Sequence, residues 1–258
     1  MDAGPVLLHQ AGPVARLRLN RPDRHNSLVP DLIETLIDRL AAVAADGAIR
    51  VLVLEANGPS FSTGGDVRGF FDTPPGQRRA YADQLVGGLN RAILTLLDLP
   101  CPVIGRIHGP LTGGSLGFLL ACDLAVIAPQ AFIQPYYTEV GFSPDGGWTA
   151  MLPDRIGPQK SREIQLLNRR VGAAEAVSLG LATALAETDR LDTVIAGWIA
   201  ELEAKQPGAV ACTKRRLLPP EKRAAVAAAL DAERQDFIDQ IETAEAQDGM
   251  ARFLGRIA

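Results

Sequence analysis

Two glycine-bearing segments are the part of this sequence best suited to chemistry. The first reads Phe-Ser-Thr-Gly-Gly-Asp at 61–66, and the second reads His-Gly-Pro-Leu-Thr-Gly-Gly-Ser at 108–115. Glycine has no Cβ, so a ligand atom can closely approach the main-chain N–H beside it. Two N–H groups from distant segments that converge on one point form an oxyanion hole. The pair therefore predicts chemistry at a carbonyl group that gains negative charge.

Strands and helices alternate around these two segments. Alternating polarity at 14–19 and apolar runs at 50–55 and 103–107 predict strands, and the glycine segments follow the second and third of them. Helical spacing predicts helices from Pro30 onward and over 77–97. The second glycine pair begins a helix at 116–121 that is apolar all round and therefore buried, and 123–128 is the next strand. This is an α/β organisation in which strand, loop and helix recur.

The chain changes character after Leu152, where strand signals fade and helices dominate. An alanine-rich pattern predicts one long amphipathic helix over 222–246. We place the boundary between an α/β core, 1–190, and a helical region, 191–258, near residue 190.

Composition narrows the classes of function. The chain has 258 residues, a net charge of −4 and no basic run, so a nucleic-acid partner is not expected. Three scattered cysteines and no metal-ligand spacing of histidines predict neither a disulfide framework nor a metal site. The longest apolar stretch, 116–128, contains Asp123 and is too short for a membrane span. The first residues lack the positive charge of a signal peptide, so we expect a cytoplasmic protein.

Several catalytic motifs can be set aside. Residues 113–117 match the G-x-S-x-G pattern of α/β-hydrolases, whose histidine follows the serine. Here all three histidines precede Ser115. Neither a phosphate-binding Gly-Lys-Ser/Thr motif nor a dinucleotide G-x-G-x-x-G motif is present.

Taken together, the motifs resemble the crotonase, or enoyl-CoA hydratase/isomerase, superfamily over nearly the whole chain. Their order and spacing carry the resemblance, which rests on segments 19–22, 26–28, 61–66, 107–123, 143–149, 152–157 and 249–253. It implies a spiral of repeated ββα units with a C-terminal helical trimerisation region. It also implies a homotrimer or homohexamer that binds acyl-coenzyme A, needs no separate cofactor and stabilises a thioester enolate.

The resemblance assigns roles to individual positions. The oxyanion donors would be the N–H groups of Gly65 and Gly114, and the second lies at a helix N-terminus, where the dipole favours negative charge. Asp66 is also compatible with simple capping of its own loop. The residues implied in coenzyme A binding are Arg24, Ser62, Thr63, Gly65, Asp66 and Arg256.

The sequence departs from typical hydratases at both of their catalytic glutamates. Gly117 and Tyr137 occupy those positions. Hydration needs an activated water and a proton donor, so efficient hydration is not expected. Tyr137 would then position a ligand or simply pack. Small residues at 114, 115 and 117 suggest room for a wide acyl group.

Asp145 is an acid at a position where related enzymes have a catalytic residue. Dienoyl-CoA isomerases and the epoxyphenylacetyl-CoA isomerase look similar there and place a catalytic aspartate. Aryl-CoA dehalogenases also have an aspartate but add a histidine, where this chain has Asn90. The alternative role for Asp145 is a helix cap, which would lower its pKa. Glu139 is a second candidate acid.

Three hypotheses follow. The first is an acyl-CoA isomerase in which Asp145 shuttles a proton across an enolate held by Gly65 and Gly114. The second is a hydratase that recruits Glu139 or Asp145. The third is a scaffold that binds coenzyme A thioesters or a protein partner without catalysis.

Overall fold

A computed structural model describes residues 4–255. Its main sheet has six strands in the order β1-β2-β3-β4-β6-β9. β1 pairs antiparallel with β2, and every other neighbouring pair is parallel. The bounds of these strands are β1 Val6–Ala11, β2 Val14–Leu19, β3 Val51–Ala56, β4 Val103–Ile107, β6 Leu124–Ile127 and β9 Ala184–Leu185. β3 is buried along its whole length, as its unbroken apolar run predicts.

A small second sheet supplies the second strand of each ββα repeat. β5 (Pro110–Thr112), β7 (Phe132–Gln134) and β8 (Val171–Gly172) pair in the order β5-β7-β8. β4 of the main sheet leads into β5 and then into a buried helix, and β6 leads likewise into β7 and a short helix. The predicted α/β class with repeated ββα units is confirmed.

Twelve α-helices lie among the described residues. They are α1 Pro30–Ala45, α2 Val67–Asp72, α3 Arg78–Asp98, α4 Leu116–Leu120, α5 Tyr137–Val140, α6 Leu152–Ile156, α7 Pro158–Leu166, α8 Ala173–Ser178, α9 Leu191–Glu203, α10 Pro207–Leu217, α11 Pro220–Gln240 and α12 Ala244–Phe253. The helices predicted from Pro30 and over 77–97 and 116–121 correspond to α1, α3 and α4. In the span 4–255, no helix combines the length and the apolar character needed to cross a lipid bilayer.

The predicted single helix over 222–246 is wrong. α11 ends at Gln240, and a turn precedes α12. Thr243 caps α12 by accepting a hydrogen bond from the N–H of Ala246, so the chain changes direction where the alanine-rich pattern continues.

Two apolar cores lie against the main sheet. The larger holds α1, α3, α4 and α11, and α3 packs against both α1 and α11. The smaller contains Val51, Val53, Ile104 and Val126, covered by Leu191 and Ile195 of α9. Beyond β9 the described chain is helical. The division of the chain at residue 190, the trimer or hexamer and the cytoplasmic location remain predictions.

Candidate active site

The two glycine segments meet as predicted. A parallel bridge joins Ser62 to Leu111, with hydrogen bonds from the Ser62 N–H to the Pro110 carbonyl (3.2 Å) and from the Thr112 N–H to the Ser62 carbonyl (3.1 Å). A Cβ on Gly64 would lie 2.6 Å from the Thr112 carbonyl oxygen. Gly64 also has φ +74°, so both the close contact and the left-handed backbone conformation require glycine here.

The N–H groups of Gly65 and Gly114 are available to a ligand. The bridge to Leu28 uses the Gly64 carbonyl (2.8 Å) and the Asp66 N–H (3.1 Å), which leaves the Gly65 N–H outside it. Within residues 4–255, neither Gly65 N–H nor Gly114 N–H has a hydrogen-bond acceptor. Both glycines line one cavity of about 540 Å³.

Asp145 lies against Gly114 in the same cavity. A Cβ on Gly114 would come within 2.7 Å of the Asp145 Oδ1 and 2.8 Å of the Leu89 Cδ2. The hydroxyl of Tyr137 donates to Asp145 Oδ1 at 2.5 Å and to the Asp145 carbonyl at 3.1 Å. The structure thus brings together a carboxylate, a tyrosine hydroxyl and a bare main-chain amide.

Burial makes Asp145 a much weaker acid than an exposed aspartate. Desolvation is the largest cause of the shift; the Tyr137 hydrogen bond lowers the pKa and the negative charge of Glu233 raises it, and together these effects bring the pKa of Asp145 from 3.8 to about 7. Burial and the neighbouring Asp145 also raise the pKa of Tyr137 well above 10. A carboxyl group with a pKa near neutrality can both accept and return a proton.

Asp145 does not act as a helix cap. The next helix, α6, begins seven residues later after Met151. The turn at 146–151 is held instead by Glu233 of α11, which is buried and accepts hydrogen bonds from the N–H groups of Gly147 (2.8 Å), Thr149 (2.6 Å) and Ala150 (2.8 Å). The capping alternative is therefore wrong, and so is the lowered pKa that it implied.

Besides Gly65, three of the residues implied in coenzyme A binding lie on the cavity wall. Arg24 and Thr63 are exposed there. Asp66 also lines the cavity, and its carboxylate caps α2 by accepting from the N–H groups of Arg68 (3.1 Å) and Gly69 (3.3 Å). Asp66 therefore has the capping role. Arg68 adds an exposed guanidinium to the wall that sequence reasoning missed.

Ser62, another of the implied binding residues, is not part of that wall. Ser62 is fully buried, and its hydroxyl donates to the Asn26 carbonyl at 2.8 Å, so its side chain holds the loop together rather than facing a ligand. Arg256 lies outside the described residues.

The prediction that Glu139 is a second candidate acid is wrong. Its side chain is exposed on α5, and it is not part of the cavity lining. The inference of acyl room at Gly117 is also wrong. A Cβ there would lie 2.3 Å from the Ile93 Cδ1 and 2.6 Å from the Gly146 carbonyl oxygen, so that space is filled.

An apolar wall completes the cavity. Leu85 and Leu89 of α3 line it together with Phe70, Phe142 and Phe237. The three phenylalanine rings contact one another with centroids 5.1–5.7 Å apart. Sequence reasoning missed this wall because its members come from α2, α3, α11 and the loop after α5.

The fold and the cavity define an α/β protein in which two main-chain N–H groups and a buried acid line one cavity. Comparison with known proteins places it in a family. The sequence profile of the enoyl-CoA hydratase/isomerase family matches residues 9–258. "Probable enoyl-CoA hydratase EchA12" of Mycobacterium tuberculosis is 31% identical over 229 residues, which cover 87% of this chain and 80% of that protein. The chain belongs to the enoyl-CoA hydratase/isomerase family.

Other relatives show how widely the similarity extends. The 4-chlorobenzoyl coenzyme A dehalogenase-2 of Arthrobacter sp is 30% identical over 168 residues, 65% of this chain and 61% of that protein. The crystal structure of an enoyl-CoA hydratase/isomerase from Pseudoalteromonas atlantica has a TM-score of 0.86 and 27% identity, and the match covers 98% of each chain. An enoyl-CoA hydratase from Bacillus halodurans reaches a TM-score of 0.91 at 21% identity, over 96% of this chain and all of that one, which shows the shared fold.

Proposed function

We propose that this protein is an acyl-CoA isomerase that moves a double bond through a thioester enolate. The observation that carries the proposal is the buried Asp145 carboxylate beside Gly114, inside a cavity that also contains Gly65. The N–H groups of the two glycines would polarise the thioester oxygen. An exposed edge with Arg24 and Arg68 suits the phosphates of coenzyme A.

The reaction needs one group that carries one proton. With a 3-enoyl thioester, the ionised Asp145 would remove a proton from C2, and the electron pair would delocalise over the thioester and the double bond as a dienolate. Asp145 would then return the proton to C4, and the product would be the 2-enoyl isomer. The protein ends as it began, and no water is consumed. A pKa of about 7 leaves about half of Asp145 ionised at neutral pH, as such a shuttle requires.

The geometry favours isomerisation over hydration. At position 117, one of the two hydratase glutamate positions, Ile93 and the Gly146 carbonyl fill the space that a side chain would need. At position 137, the other one, the tyrosine hydroxyl is engaged by Asp145. Asp145 is then the one carboxyl group left on the described cavity wall for proton transfer, because Asp66 is occupied as a cap and Asp23 is exposed.

The test is Asp145→Asn, assayed with a 3-enoyl-CoA and followed by absorbance of the conjugated product. We expect kcat to fall by about 10²–10⁴-fold, the usual contribution of general acid–base catalysis. Binding of an unreactive acyl-CoA should remain. Glu139→Gln is the matched control because it removes an exposed carboxylate, and it should leave the rate unchanged.

Three results would count against the proposal. Undiminished double-bond migration in Asp145→Asn would remove Asp145 from the mechanism. Hydration of crotonyl-CoA by the wild type at ordinary enzyme rates would favour the hydratase. Inactivity toward a broad acyl-CoA panel, with coenzyme A binding retained, would favour the scaffold.

A further inference from the structure

Trp148 is completely buried three residues after Asp145. Its indole N–H donates a hydrogen bond to the Gly113 carbonyl at 2.8 Å. That carbonyl and the Gly114 N–H belong to the same peptide group. Because a peptide group is planar and trans, its C=O and N–H point in opposite directions. A donor that fixes the carbonyl therefore fixes the direction of the N–H.

We infer that Trp148 is a positioning residue that aims the Gly114 N–H at the thioester oxygen. The inference rests on the proposed function, since it assigns Trp148 a role in the same oxyanion hole. Trp148 is not among the residues that line the cavity, so it would act through the peptide and not by touching substrate.

This peptide needs outside support because glycines flank it on both sides. Gly113 has φ +54°, and a Cβ placed on it would have no atom nearer than 3.6 Å, so side-chain packing does not restrict its rotation. The Gly113 carbonyl accepts a second bond from the Leu116 N–H at the start of α4. Hydrogen bonds in series polarise one another. The two bonds to the carbonyl therefore make the Gly114 N–H a better donor as well as a better directed one.

Trp148 is itself firmly placed. Tyr137 packs edge-on against its ring, with centroids 6.2 Å apart at 81°. Gln165 donates to the Trp148 carbonyl at 2.9 Å, and Glu233 holds the N–H groups of the neighbouring residues Gly147 and Thr149. The short segment 145–148 thus carries both the acid of the proposed reaction and the donor that orients the oxyanion peptide.

The experiment replaces the indole N–H while keeping the ring. β-(3-benzothienyl)alanine, in which sulfur replaces the N–H, is incorporated at position 148, with Trp148→Phe as a second variant. Each protein is studied with an unreactive acyl-CoA carrying a ¹³C-labelled thioester carbonyl, whose stretching frequency is measured by infrared difference spectroscopy. Trp198→Phe is the matched control, because this second tryptophan lies on α9 and packs against the smaller core.

We expect the carbonyl stretching frequency of the thioester bound to the wild type to lie below that of the free thioester. In the benzothienyl variant the frequency should rise much of the way back toward the free value. kcat should fall about ten-fold with KM nearly unchanged, less than the 10²–10³-fold loss for a missing oxyanion donor, because the Leu116 bond remains. Trp198→Phe should change neither quantity.

The possible failures are distinguishable. A wild-type frequency equal to that of the free thioester would refute the oxyanion hole and the proposed function with it. A lowered wild-type frequency that persists unchanged in the benzothienyl variant, at wild-type kcat, would overturn the role of Trp148 alone. If Trp148→Phe fails to fold, the benzothienyl variant still decides the question.

Discussion

Replacing Asp145 by asparagine should make this protein more stable while it loses activity. The residue is 7% exposed, and its pKa rises from 3.8 to about 7 on folding because burial penalises the charged form. Asparagine has nearly the same shape, carries no charge and still accepts the Tyr137 hydrogen bond. The substitution therefore removes the cost of a buried charge with little change in packing.

The size of the effect depends on pH in a defined direction. Because the folded-state pKa is the higher one, the folded protein binds more protons than the unfolded chain between pH 3.8 and about 7. The contribution of Asp145 to stability therefore falls as pH rises through this window and is constant above it. Each pH unit inside the window is worth about 1.4 kcal/mol, so the advantage of the asparagine variant should grow by roughly 2.7 kcal/mol between pH 5 and pH 8.

The assay is urea unfolding of both proteins at pH 5, 6, 7 and 8, followed by circular dichroism. Glu139→Gln should show no comparable trend because that carboxylate is exposed. An Asp145→Asn advantage that is independent of pH, or a variant less stable than the wild type at pH 8, would refute the assignment of a buried, weakly acidic carboxyl group.

Three other substitutions test the surroundings of this acid. In Tyr137→Phe the pKa of Asp145 loses the hydrogen bond that lowers it, so the midpoint of the rising limb of the kcat/KM–pH profile should move to higher pH. Glu233→Gln removes a nearby negative charge and should move the same midpoint to lower pH, and it should cost about 1–3 kcal/mol in urea unfolding because an amide NH₂ then faces main-chain donors. Shifts of equal sign in these two variants would contradict the electrostatic account. Gly117→Glu should gain no hydration of crotonyl-CoA and lose about 1–3 kcal/mol or more of stability, since its Cβ would overlap Ile93. New hydratase activity in a stable variant would show that the space can open.

The local sequence pattern was enough to predict the strands that precede the glycine segments. The alternation at 14–19 and the apolar runs at 50–55 and 103–107 correspond to β2, β3 and β4, whose order in the sheet brings 61–66 and 108–115 together. The helix over 222–246 was mispredicted because alanine-rich periodicity continues through the break that Thr243 caps. Periodicity reports which face is buried, and it does not record where a chain turns.

Contacts between distant segments were beyond the sequence alone. Nothing near Glu233 in the sequence indicates that its carboxylate accepts hydrogen bonds from the N–H groups of Gly147, Thr149 and Ala150, because those donors lie in a distant segment. The same holds for the indole of Trp148 and the Gly113 carbonyl. Asp145 could be singled out from its motif, but the direction of its pKa shift could not. As a helix cap it would have a lowered pKa, whereas burial and the charge of Glu233 raise the pKa.

The support that α11 gives to the turn of Asp145 makes activity sensitive to partial opening of the molecule. Glu233 and Phe237 lie on one helix, so detaching α11 would release the acid and remove part of the cavity wall while the central strands stay paired. Most residues of α11 are not buried, whereas β3 is buried along its whole length, and elements with fewer buried contacts open more readily than core strands do. On heating, enzymatic function should consequently disappear at a lower temperature than the signal of the sheet.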